Sequence, residues 1–204
     1  MAPERTLIIA CGALARELNQ VLNANAWHHA TIQCLPPELH NRPEKIPAAV
    51  MERIRLGRAD FDRIFVAYAD CGTGGLLDSL LEAEGVERLP GAHCYEFFAG
   101  SAEFSALADA EPGTFYLTDF LARHFERLVW QALGLDRHPE LLPLYFGNYR
   151  RLVYLSQRGD PALQTRAEEA ARRLGLAYEQ IHTGLRPFAA ALNVNGGVPV
   201  TWAS

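Results

Sequence analysis

The chain has 204 residues, 49% of them hydrophobic, enough to bury one substantial core, and a doubly wound domain of this length is ordinary. A formal net charge of −5 and the lack of any Lys/Arg block remove the electrostatic footprint of a nucleic-acid binder. No apolar run approaches the roughly 18 residues of a membrane span, and the N-terminus does not have the succession of a signal peptide, so a cytoplasmic protein is expected, in which four cysteines serve as ligands, catalytic groups or buried apolar residues rather than disulfides.

Thr6 to Ala10 is an unbroken apolar run, the pattern of a strand buried on both faces, and Leu14, Leu18, Val21 and Leu22 then recur at helical spacing. A second strand is predicted over Ala30 to Leu35, followed by a long loop stiffened by Pro36, Pro37, Pro43 and Pro47, then a helix over Ala48 to Arg58. Asp62 to Ala69 has the strongest strand pattern. Gly72, Thr73, Gly74 and Gly75 turn the chain into a helix over Leu76 to Glu84. A short strand is expected over Glu87 to His93, a helix from Tyr95 to Ala108, and a strand over Phe115 to Leu117. Thr118 and Asp119 mark the start of a helix running from Phe120 to Gly134. Arg151 to Gln157 is strand-like. Asp160 and Pro161 open a helix over Ala162 to Leu174 closed by Gly175, and Leu176 to Ile181 adds a last strand. The tail from Thr183 to Ser204, with Gly196, Gly197 and Pro199, specifies no element.

This alternation predicts an α/β fold, Rossmann-like, with a mostly parallel sheet covered by helices on both faces. One domain over 1–204 is expected; a two-lobed variant would part around Gly134 to Tyr149, where Pro139, Pro143 and Gly147 interrupt the pattern.

Three cysteines share one structural address. Cys11, Cys71 and Cys94 each follow a strand-like run and precede a helix-like one, and the strand ends of a parallel sheet face a common crevice. Thiolates with imidazole suit zinc, and three cysteines with an open position suit a [4Fe-4S] cluster, so the cofactor expected is zinc or iron. The ligands would be Cys11, Cys71 and Cys94 with His93 or His40 as nitrogen donor, and Cys34, at the end of the second strand, as a substitute. No Cys-x-x-Cys pair is present, so the fold must assemble such a site.

Asp70-Cys71-Gly72-Thr73-Gly74-Gly75 resembles an anion cradle, since consecutive glycine amides and a Thr hydroxyl offer several donors. It has no Walker lysine and no dinucleotide glycine order; Cys71 as a nucleophile above an anion hole is the alternative. The proline-stiffened stretch from Leu35 to Glu44 is expected over the crevice, with His40 as ligand or acid/base, Asp70 as a second polar catalytic group, and Arg42 as a carboxylate clamp. The predicted partner is a small anionic molecule. Tyr145 to Arg150 is an aromatic-rich stretch suited to a substrate pocket or a contact between copies in a homo-oligomer, while Gln157 would bond a ligand or cap the next helix.

With these residues in place, the chain resembles the bacterial and archaeal family catalogued as domain of unknown function 1638. The resemblance rests on Ala-Cys-Gly-Ala-Leu-Ala-Arg-Glu at 10–17, Leu-Pro-Pro-Glu-Leu-His-Asn-Arg-Pro-Glu at 35–44, Tyr-Ala-Asp-Cys-Gly-Thr-Gly-Gly at 68–75, His-Cys-Tyr-Glu at 93–96 and Tyr-Leu-Thr-Asp-Phe-Leu at 116–121. It implies a companion of corrinoid-dependent methyltransferase systems, hence one-carbon metabolism, with a corrinoid, a corrinoid protein or a methyltransferase as cofactor or partner. The expected function is a metal-binding α/β protein acting on a small anion. An open-iron [4Fe-4S] enzyme and a non-catalytic accessory protein are the rivals.

Overall fold

A computed structural model describes residues 4–196. Among the described residues, those up to Cys94, rejoined by residues 188–196, form one compact unit, and Tyr95–Pro187 forms the other. The seams lie at these two points, while residues 134–149 fall inside the second unit.

In the first unit, residues 7–11 are all buried because β1 (Thr6–Cys11) lies inside a parallel sheet of order β2-β1-β3-β4. The partners are β2 (Ala30–Leu35), β3 (Arg63–Ala67) and a two-residue β4 (Glu87–Arg88). Helix α1 (Ala15–Ala24) buries Leu18, Val21 and Leu22, one stripe of an amphipathic helix. Helix α2 (Ile46–Gly57) buries Ile46, Val50, Ile54 and Gly57. A side chain at Gly57 would collide with Leu7 of β1, so the glycine lets helix and strand close on each other. Helix α3 (Leu76–Glu84) ends at Gly85 in the left-handed conformation.

In the second unit, α4 (Tyr95–Ala99) and α5 (Ser101–Ala110) precede a parallel three-stranded sheet, β5-β6-β7, made of β5 (Thr114–Thr118), β6 (Arg151–Ser156) and β7 (Ala177–His182). Between the strands run α6 (Asp119–Phe125), α7 (Leu142–Phe146) and α8 (Pro161–Leu174). The Asp160 carboxylate accepts from the Ala162 amide at 3.0 Å, and Gly175 closes α8 at φ +71°. Leu117, Phe125, Leu152, Tyr154, Leu163, Ala167 and Leu174 are among the residues of its core.

The α/β expectation is borne out, and among the described residues every strand pair is parallel. The strands nevertheless divide between two sheets. The strand expected over residues 87–93 stops at Arg88, since Pro90 has no amide to donate and Gly91 sits at φ +108°. The helix expected over 95–108 breaks at Gly100, φ +85°. The helix after Asp119 leaves regular geometry at His124 and passes into a π-turn over Glu126–Gln131. Part of the tail read as unspecified is helix α9 (Arg186–Gly196); Gly197 and Pro199 lie outside the described residues. None of the described helices is long and apolar enough to cross a membrane.

Candidate functional site

The site grows out of the C-terminal ends of β1 and β3. Their register pairs Ala10 with Ala67, so Cys11 and Tyr68 are the next residues along the two neighbouring strands. Beyond β4 the chain keeps running beside the end of β3: the Leu89 amide donates to Val66 O at 3.0 Å, Asp70 to Gly91 O at 3.0 Å, and Cys71 to Ala92 O at 2.9 Å. This zipper continues the ladder past the point where Pro90 ends regular pairing, and it carries Cys94 to Cys71. The two sulfurs stand 3.1 Å apart, and both residues are buried.

Cys71 has φ +50°, a left-handed backbone that costs a residue with a Cβ about 1–2 kcal/mol. Strain of that kind persists only where the surroundings enforce it. Here the enforcement comes from the next residue back. The Asp70 carboxylate accepts from Thr73 Oγ1 at 2.6 Å, the Gly75 amide at 2.9 Å and the Gly74 amide at 3.2 Å, and these bonds hold its pKa below the ordinary carboxylate value, the Thr73 hydroxyl contributing most. Thr73 and the amides of Gly74 and Gly75, expected to cradle an anion, therefore already hold one, supplied by the chain itself. Asp70 thus acts as the clasp of the turn, and the donors it takes are occupied in this structure.

The acidities of the pair split. Cys94's hydrogen bond favours the Cys71 thiolate and pulls its pKa down against burial, with help from the amides of Cys94 and Ala69. The Cys94 thiol moves the other way, through that same bond and then burial. Cys11 is pushed up to about 11, first by burial and in smaller part by the charge of Cys71, and its own charge raises Cys94. Tyr68 was named in the sequence motif but given no role. It is 1% exposed, and its phenol oxygen makes no hydrogen bond of full geometry, although the Cys11 side chain interacts with it. Burial and then Cys11 keep its proton on, with Cys94 and Cys71 adding to the effect. A tyrosine closing an otherwise apolar strand, two residues before Asp-Cys, was the available signal.

The proline loop lies where it was expected. It folds as two 3-10 turns, Pro37–Asn41 and Pro43–Lys45. A Cβ on Gly12 would meet Leu35 O at 3.0 Å and Pro37 Cδ at 3.1 Å, and one on Gly72 would meet Pro43 at 3.5 Å. The glycines following Cys11 and Cys71 thus seat the loop directly on the two strand ends. His40 on this loop is lowered in pKa, first by desolvation and then by the charge of His93. Arg42 uses its backbone, accepting from the Lys45 amide and donating to Leu39 O, and its side chain is exposed. Cys34 is exposed, on the outer strand β2. Among the described residues, no group of three or more His, Cys, Asp or Glu stands arranged to hold a metal ion. The strand ends deliver a close pair and a third sulfur nearby.

In the second unit, Thr118 caps α6 as predicted, accepting from the Leu121 amide at 3.4 Å. Asp119 does more: buried, it accepts from Tyr154 Oη at 2.7 Å, the Gln157 amide at 3.1 Å and Arg158 Nε at 3.1 Å. Gln157 accepts from the Asp119 amide at 2.8 Å, which ties β6 to the start of α6 instead of capping the following helix. Phe146 and Tyr149 pack against Phe115, with ring centroids 5.3 and 5.9 Å from it; Phe146 is core, Tyr149 is half-buried against that core, and Tyr145 is exposed.

Residues 34–192 match the family model described as Protein of unknown function (DUF1638). The chain belongs to that family. The matched span holds Tyr68, Asp70, Cys71, Cys94, His40 and the Asp119 network, while Cys11 lies before it. No curated protein matches the chain, and no solved structure does. The family's description names no activity, so the chemistry of this DUF1638 member rests on its own residues.

Proposed function

We propose that the first unit is a soft-metal protein, in which Cys71 and Cys94 hold a zinc or iron centre with Cys11 as third sulfur, and which acts on a small anionic molecule. The observation that carries this reading is the buried pair at 3.1 Å, with Cys11 within electrostatic reach and a Tyr68 phenol without a full hydrogen bond among the same sulfurs. A buried hydroxyl without a partner costs about 1–3 kcal/mol, and a ligand at the sulfurs would give it an acceptor. Two sulfurs sharing a tetrahedral zinc at about 2.3 Å lie roughly 3.8 Å apart, so the pair would open by less than about 1 Å. Cys11 must turn toward it, in keeping with the lack of a ready triad among the described residues. A bound zinc supplies Lewis acidity, lowering the pKa of a thiol or water it carries.

The anion is drawn by the metal in this reading, because the glycine-turn donors are occupied by Asp70. His40, below its ordinary pKa and so neutral at pH 7, is suited to take up a proton. Elemental analysis of anaerobically purified protein tests the proposal. At least about half an equivalent of zinc or iron is expected, falling sharply in Cys71→Ser and Cys94→Ser. A brown protein with visible absorption indicates a cluster, a colourless one zinc. Metal-free parent protein, or metal retained in both variants, refutes it.

A further inference from the structure

The geometry points to a second chemistry for the same sulfurs: Cys71 and Cys94 form a dithiol that a peroxide closes into a disulfide. Closing 3.1 Å to the roughly 2.05 Å of a disulfide asks each sulfur to move about 0.5 Å. The two segments are already tied together, since the Asp70 and Cys71 amides are bonded to Gly91 and Ala92 and the Asp70 clasp holds Cys71 in its left-handed conformation. Cys71 and Cys94 are both buried, with residue exposures of 6% and 8%, which favours a small oxidant such as a peroxide over bulky disulfides. Cys34, exposed on β2, is open to reagents of any size.

One sulfur of the pair attacks the peroxide; an S–O bond forms, the O–O bond breaks, and the departing hydroxide takes a proton to become water. The other sulfur then attacks the resulting sulfenic acid. The S–S bond forms, the S–O bond breaks, and hydroxide leaves as a second water with the second thiol's proton. Two thiols are oxidised and one peroxide reduced, and a dithiol reductant reverses the change. As regulation of the metal centre the inference rests on the metal-binding reading, because a closed pair has no thiolates to offer. As chemistry of the pair it stands apart from it.

The test uses full-length protein carrying Cys34→Ser, which leaves three thiols, stripped of metal by chelator under reducing conditions and titrated with hydrogen peroxide. The expected result is loss of two of the three thiols, a cross-linked peptide joining Cys71 to Cys94, recovery with dithiothreitol, and little reaction with glutathione disulfide over the same interval. A further Cys11→Ser change leaves the closure intact. Three thiols persisting in excess peroxide, a cross-link that uses Cys11, or dimers joined between chains overturn the inference. Elemental analysis of the same preparation before chelation separates the two ideas: closure without native metal removes only the metal-binding reading, and native metal without closure removes only this one.

Discussion

Replacing Asp70 by Ala removes three hydrogen bonds to one carboxylate, from Thr73, Gly74 and Gly75. The three do not count equally. Gly74 is exposed and its amide rehydrates, so its loss costs little. Thr73 is 4% exposed, and stranding its hydroxyl costs about 1–3 kcal/mol, with about 1 kcal/mol more for Gly75. Without the clasp, the left-handed Cys71 also relaxes. The losses come to about 2–4 kcal/mol, of which the relief at Cys71 offsets about 1, leaving about 1–3 kcal/mol, or roughly 2–12 °C in Tm for a chain of this size. Because the folded-state pKa of Asp70 is depressed, its contribution is present above the unfolded carboxylate range and is lost as pH falls through the depressed value. The deficit of Asp70→Ala should therefore be full at pH 7 and shrink as the pH drops below about 4. Two compact units need not melt together, so thermal scans are best paired with the labelling rate of Cys71 and Cys94 in a Cys34→Ser background, which reports opening of the first unit. A variant within about 0.5 kcal/mol of the parent at pH 7, or a deficit that does not change between pH 7 and pH 3, refutes the clasp.

Tyr68→Phe removes a buried hydroxyl that makes no full hydrogen bond and should stabilise metal-free protein by about 1 kcal/mol in chemical denaturation; a loss of that size means the phenol has a partner. Gly12→Ala pushes against Leu35 O and should destabilise by about 1–3 kcal/mol through overpacking, while Gly72→Ala should cost about 1–2 kcal/mol from backbone conformation alone. Equal tolerance of both would mean that the proline loop is not seated on these glycines. With Cys34 replaced, alkylation of Cys11 should rise with pH toward a midpoint near 11, well after Cys71; peptide mapping that finds Cys11 labelled first contradicts the burial argument. In the second unit, Asp119→Ala takes the acceptor from the buried Tyr154 hydroxyl and the Gln157 amide, while Arg158 keeps Asp160, and should cost about 2–3 kcal/mol, read as a lowered midpoint of unfolding; a neutral outcome would show the network to be dispensable.

The local patterns were legible in the chain itself. An unbroken apolar run identifies β1 as interior, Asp160-Pro161 and Gly175 bracket α8, and the placement of Cys71 and Cys94 after strand-like runs anticipates their meeting, because parallel strands all end at one edge. These features depend on neighbours a few residues away, or on a rule of topology that needs no coordinates. Side-chain direction and pairing over long separations belong to the tertiary structure. Only there does the Asp70 carboxylate turn back into the glycine amides, the Tyr68 phenol lie among sulfurs with no full hydrogen bond, and β4 stop after two residues so that β5 begins a second sheet. A sequence lists donors and acceptors without saying which are already satisfied by one another, and that matching is settled when the packed chain excludes water.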